Sequence, residues 1–152
     1  MSIIFVNWCK VVDKLPSTCY NIKYQRYLYI TKEGGCEVDI RRYDIVQADL
    51  GQVIGSEQGG IRPVLIIQND VGNIYSCTTI IMPLSSKLKS LNQPTHTLIK
   101  RSIDTGLKTD SVLLGEQMRV ISSQRIIKKI GTVTDETERE EIRRVYQANF
   151  GE

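Results

Sequence analysis

Gly55-Ser-Glu-Gln-Gly-Gly-Ile-Arg-Pro-Val-Leu-Ile-Ile67 changes character at Arg62. Its first half is a loop. Gly55, Gly59 and Gly60 permit positive φ and close backbone approach, and Ser56, Glu57 and Gln58 set polar side chains among them. Its second half is a continuous apolar run that predicts a strand buried on both faces. Arg62 stands at the junction, where Pro63 biases it toward extended geometry. A guanidinium so held at the rim of a rigid element suits a phosphate, because its donors match phosphate oxygens in pairs. From these residues alone, an ordinary surface arginine in a turn is the alternative.

Outward from this stretch, the pattern is mostly β. Apolar and β-branched runs predict strands at 43–48, 63–67, 78–84, 95–99 (as an edge strand), 111–114 and 118–121, joined by polar or glycine-containing loops. Such short strands suggest a small barrel. The end of the chain differs. Asp135 and Glu138 form a capping-box-like pair, acidic residues fill the first turn, and Ile142, Val145, Tyr146 and Phe150 follow at helical spacing. This predicts a C-terminal helix packed on the strands.

The first 40 residues read differently. Phe5, Trp8 and Val12 lie on one face of a short predicted helix, and Tyr20, Tyr24, Tyr27 and Tyr29 alternate with Lys23 and Arg26 before a turn at Glu33-Gly34-Gly35. Aromatic and basic residues so interleaved bind RNA in some proteins, but they also make amphipathic helices that pack on their own domain. The expected organisation is an N-terminal extension over residues 1–40 and a single domain over residues 41–152. The chain has 152 residues, 41% of them hydrophobic and 24% charged, as in a globular protein. A net charge of +3 is too small for a general nucleic-acid field, so any RNA site must come from local clustering. Cys9, Cys19, Cys36 and Cys77 form no CxxC pair and no cluster with histidine, so free thiols are expected and zinc is not. The apolar start breaks at Asn7 and Lys10, which predicts neither a signal peptide nor a membrane span and implies a cytoplasmic protein.

The run from Gly55 to Asn69, together with Asp70-Val-Gly-Asn73, Pro83-Leu-Ser85, Pro94-Thr-His96 and Asp110-Ser-Val-Leu-Leu-Gly-Glu-Gln-Met-Arg-Val-Ile121, resembles the MazF/PemK toxins. The resemblance extends from residue 41 to the end of the chain, and the first 40 residues depart from the family pattern. It implies an SH3-like small β-barrel with a C-terminal helix, an α+β fold that is mainly β. It also implies an endoribonuclease toxin that cuts single-stranded RNA, often mRNA, at a short motif without metal or cofactor. Homodimerisation and neutralisation by a cognate antitoxin protein are implied too.

By the same resemblance the catalytic arginine falls on Arg62 and the catalytic hydroxyl on Ser85, where typical members have threonine. Serine keeps the hydroxyl but lacks the methyl that stiffens χ1. Glu57, on the same loop, is a candidate general base or a solvated carboxylate. Ser56, Glu57, Gln58, Gln117, Arg119 and Lys87 are candidate RNA contacts. For Gln117 the alternative is packing, and for Lys87 with Lys89 a solvated basic loop. His96, the one histidine, falls in a run that the family does not use in catalysis. Two rival readings use related architecture: a CcdB-like toxin that binds gyrase without nuclease activity, and an SH3-like peptide-binding module. The first lacks the arginine and hydroxyl pair. The second needs an aromatic groove, and aromatics here are sparse between residue 41 and the last helix.

Overall fold

The structure is a computed structural model that describes residues 39–87 and 91–151. The sequence readings on residues 1–38, including Cys9, Cys19, Cys36 and the aromatic-basic stretch, and on Lys89 lie outside the described residues.

Seven antiparallel strands form one sheet: β1 (Asp44–Asp49), β2 (Ile61–Ile66), β3 (Thr78–Ser85), β4 (His96–Ile99), β5 (Ser111–Leu114), β6 (Arg119–Ser122) and β7 (Ile126–Thr132). The strand order is β4-β5-β3-β2-β1-β7, and β6 pairs with β3. A short helix, α1 (Asp70–Tyr75), joins β2 to β3, and α2 (Glu136–Ala148) closes the described chain. The mainly-β fold with a C-terminal helix matches the sequence expectation. The barrel does not close: among the described residues β4 and β7 end the strand order without pairing to each other. The hydrophobic pattern marks strands but carries no information on which outer edges meet.

β3 organises the sheet. On one edge it pairs with β2, through Val64–Pro83, Leu65–Met82 and Ile66–Ile81. On the other it pairs first with β6, from Thr78 to Ile81, and then with β5, at Leu84 and Ser85. Pro83 has no N–H and would weaken most central strands. Here it falls in the two-residue gap between the β6 and β5 ladders.

The two faces of the sheet bury separate clusters. Ile45, Leu65, Met82, Leu84 and Leu113 point to one side and pack with Ile142 and Val145 of α2. Val46, Ala48, Leu50, Val64, Ile66, Ile81 and Ile121 point to the other. The predicted stripe on α2 therefore divides. Ile142 and Val145 are core, whereas Tyr146 and Phe150 remain 42% and 59% exposed and pack on each other, ring centroids 5.1 Å apart. The predicted capping box is also half-formed. Asp135 accepts the Glu138 N–H at 3.0 Å, but the Glu138 carboxylate accepts the Lys100 N–H at 3.2 Å and does not reach back. The Asp135 carboxyl is held below its usual range, chiefly by the Glu138 amide.

Two elements escaped the sequence reading. α1 is six residues long, contains a glycine and buries none of its side chains, so no apolar period betrays it. β7 carries Lys128 and Lys129 in its middle, and its apolar residues do not alternate cleanly. Lys129 nonetheless has a structural partner. Its Nζ lies 2.8 Å from the carboxylate of Asp44, which is only 1% exposed and also accepts the Thr132 hydroxyl and the Arg41 amide.

Because Ile142 joins α2 to the sheet core, Ile142→Ala is expected to destabilise the protein by about 2–5 kcal/mol. Urea unfolding monitored by far-UV circular dichroism measures this.

Candidate active site at the loop between β1 and β2

The loop after β1 is tied shut by its own backbone. Leu50 N–H donates to Gly60 O at 3.0 Å, and Gly60 N–H donates to Gly51 O at 2.8 Å. Gly51, Gly55 and Gly60 take positive φ, at 71°, 63° and 69°. Gly59 is needed for a different reason. A Cβ there would lie 2.6 Å from Val53 Cγ2 and 2.9 Å from Gly51 O. Of the three glycines singled out in the sequence, two serve the backbone angle and one serves close approach.

Arg62 enters β2 directly from this loop, half-buried. Its Nε donates to Gly59 O at 2.7 Å, and its Nη1 donates to the Gln58 side-chain carbonyl. The guanidinium is thereby locked against the loop it follows. Its pKa is lowered from the ordinary arginine value, first by burial and then by the nearby charge of Arg119. Arg119, at the start of β6, reaches the same loop. Its Nη2 donates to Gln58 O at 3.1 Å and Leu50 O at 3.4 Å. The Arg119 Nε is buried without a hydrogen-bond partner among the described residues. Gln117, in the tight turn Gly115–Gln117, accepts the Gln58 N–H at 3.2 Å. Gln58, Arg62, Gln117 and Arg119 therefore form one connected polar cluster with two cations.

Ser85 ends β3 on the strand next to Arg62. Arg62, Val64 and Ile66 alternate onto one face of β2, and Ile81, Pro83 and Ser85 onto the same face of β3. Continuing the register two residues beyond Val64–Pro83 sets Arg62 opposite Ser85. This face is the one turned away from α2. The Ser85 Oγ is partly exposed and accepts the Lys87 N–H at 3.2 Å.

The other predicted site residues are less tightly drawn in. Glu57 is exposed, and its carboxylate accepts the Ile54 N–H at 3.5 Å. Ser56 is exposed at the loop tip, and Lys87 is exposed just beyond β3. His96 is buried, and its Nε2 lies 3.0 Å from Glu116 Oε2, next to the turn that carries Gln117. The sequence reading missed Leu50 and Gly51, whose carbonyls receive Arg119 and Gly60. Backbone acceptors leave no side-chain signal, although Gly51 at the end of a strand run was a visible cue.

Residues 41–148 match the family model described as PemK-like, MazF-like toxin of type II toxin-antitoxin system. The chain belongs to this family. It is 45% identical over 97 residues to endoribonuclease EndoA of Bacillus subtilis (strain 168), covering 64% of this chain and 83% of that protein. It is 45% identical over 101 residues to endoribonuclease MazF of Staphylococcus saprophyticus, covering 66% and 83%. Among solved structures, MazF from Deinococcus radiodurans superposes with a TM-score of 0.62 at 19% identity, over 74% of this chain and 97% of that one. An endoribonuclease in complex with its cognate antitoxin, from a mycobacterial species, gives 0.60 at 19% identity, over 74% and 95%. At that identity the structures speak for the fold. No helix among the described residues is long and apolar enough to cross a membrane.

The contrast between Gly59 and Gly55 is testable. A Cβ on Gly55 meets nothing within 4 Å. In the wild type the Arg62 Nε–H is expected to give a slowly exchanging NMR resonance. Gly59→Ala, which displaces the acceptor, should abolish that protection, and Gly55→Ala should keep it despite its backbone strain.

Proposed function

We propose that this protein is a toxin endoribonuclease that cleaves single-stranded RNA by attack of a ribose 2′-OH on the adjacent phosphorus. The products carry a 2′,3′-cyclic phosphate and a 5′-OH. The observation that carries the reading is the Arg62 guanidinium, held by Gly59 O and Gln58 at a loop mouth, with the Ser85 hydroxyl on the same face of the neighbouring strand. Membership of a toxin family whose relatives here are named endoribonucleases supports it.

The roles follow from the chemistry. Charge develops on the non-bridging phosphoryl oxygens, and Arg62 is the donor that meets it. Because the guanidinium is already anchored, little reorganisation is needed at the moment of reaction. Ser85 donates a second hydrogen bond to the same oxygens. The lowered pKa of Arg62 goes in the direction that eases proton release to the leaving 5′-oxygen, although arginine stays protonated at neutral pH. Glu57 is the carboxylate on this loop proposed to accept the 2′-OH proton. Ser56, Gln58, Gln117, Arg119 and Lys87 are proposed to contact the RNA. No step calls for a metal ion.

The working protein is proposed to be a cytoplasmic homodimer, restrained by an antitoxin. Ile61 and Val120, exposed at 60% and 59% on β2 and β6, are apolar surface that supports self-association. Residues 1–40 are proposed to be an extension that modulates access to the RNA groove of the toxin domain, residues 41–152.

The test is cleavage of a long single-stranded RNA in EDTA. Wild type is expected to cut at discrete sites. Arg62→Ala and Ser85→Ala should each lose roughly 10²–10³ in kcat, the effect of removing one preorganised donor, about 2.7–4 kcal/mol. Intact RNA at high wild-type concentration, with residues 1–40 both present and removed, would rule the reading out.

A further inference from the structure

Beyond the predicted site residues, the ends of β3, β4 and β5 border a cavity of about 880 Å³, wide open to solvent and lined by Ser86, Lys100, Arg101, Lys108, Thr109 and Asp110. We propose that this cavity binds the phosphate backbone of the RNA next to the scissile bond. The proposal rests on the ribonuclease reading above and adds a subsite to it.

The strand registers place the cavity. β3 pairs with β5 at Leu84–Leu113 and Ser85–Val112, so the same register sets Ser86 beside Ser111 and Lys87 beside Asp110. β5 pairs with β4 at Ser111–Ile99, which sets Lys100 beside Asp110 from the other flank. Ser86 turns to the face opposite Ser85, whereas Asp110 and Lys100, two residues along from Val112 and Leu98 in the same row as Ser85, share the face of Ser85 and carry the cavity toward it. The far wall of the cavity is two strand spacings away, about 10 Å at 4.7–4.9 Å per strand. An RNA strand bound at Ser85 meets it with its next phosphates.

Charge identifies the ligand. The carboxylates of Asp135 and of Glu138, which accepts the Lys100 N–H at 3.2 Å, stand beside Lys100 outside the lining, and within the lining three cations meet a single carboxylate, in a chain whose whole net charge is +3. That carboxylate is committed to the backbone, because Asp110 Oδ1 accepts the Arg101 N–H at 2.8 Å. Lys100, Arg101 and Lys108 are exposed, and none forms an ion pair among the described residues. Cations gathered in one cavity repel one another until an anion enters. Among the described residues no aromatic side chain lines the cavity, which gives bases no stacking platform there. Backbone contact is what remains. Such a subsite adds affinity and salt dependence without reading sequence.

The test uses two RNAs that share one mapped cut site, a short one trimmed close to it and one extended by several nucleotides on each side. Wild type and the triple variant Lys100→Gln/Arg101→Gln/Lys108→Gln are compared across a salt series. Wild type should prefer the extended RNA. The triple variant should cut the short RNA as before and lose the preference through a higher KM at constant kcat. Its log(kcat/KM) on the extended RNA should fall less steeply with log salt, the slope shallower by about 2 for three lost phosphate contacts at about 0.7 each. Unchanged preference and slope would overturn the subsite while leaving the ribonuclease reading intact. If those survive but competition by a polyglutamate peptide is lost, the cavity is a peptide site and the RNA assignment is wrong. If wild type cuts neither RNA, the ribonuclease reading falls, and the subsite with it.

Discussion

β3 is the strand on which everything else is registered. Among the described strands it alone carries three ladders, and one of its edges changes partner from β6 to β5. A central strand does not ordinarily tolerate a proline, because each missing N–H opens a ladder. Pro83 stands where the partner changes, so its missing donor coincides with the gap. That switch has two consequences. It directs the end of β3 toward β5, carrying Ser85 and Ser86 away from the hydrophobic centre. It also leaves β6 beside the first half of β3, which brings Arg119 to the loop that holds Arg62.

The second constraint is electrostatic. Arg62 and Arg119 sit near enough for each charge to be felt, and two cations at one loop are unfavourable without compensation. Carbonyl groups supply it: Gly59, Gln58 and Leu50 all turn oxygens toward the two guanidiniums. The loop must fold tightly to offer them, and the absence of a Cβ at Gly59 makes that possible. Among the described residues neither guanidinium is paired with a carboxylate, and an unpaired positive potential is what a site for a polyanion requires. α2 and its acidic first turn cover the opposite face of the sheet core. Repulsion from those carboxylates therefore stays remote from the loop.

Much of this was legible in the sequence because strong local patterns agreed with the final packing. The Pro63–Ile67 run is apolar throughout, and Val64, Leu65 and Ile66 are fully buried between two clusters. Ser111–Leu114 was read with its observed bounds. What was not legible depends on partners distant along the chain. β7 reads as a basic, irregular stretch until Asp44 supplies a buried carboxylate for Lys129. The six residues of α1 carry no core face. The open sheet edge is a property of strand order, which hydrophobic periodicity does not encode. At the site, side-chain types pointed to Arg62, Gln58 and Arg119, but apart from the Gln58 side chain the carbonyls that hold the two arginines belong to the backbone. The cluster of Lys100, Arg101 and Lys108 needed the β4–β5 register to bring together positions up to eight residues apart.

The central claim is that Arg62 and Ser85 act on one phosphoryl group. A double-mutant cycle tests it most directly: single-turnover cleavage at one mapped site by wild type, Arg62→Ala, Ser85→Ala and the double variant. Groups that stabilise the same oxygens are strongly non-additive. The account predicts that the double variant is little slower than the worse single variant. A loss equal to the product of the two single losses would mean that the residues act independently, and would contradict it.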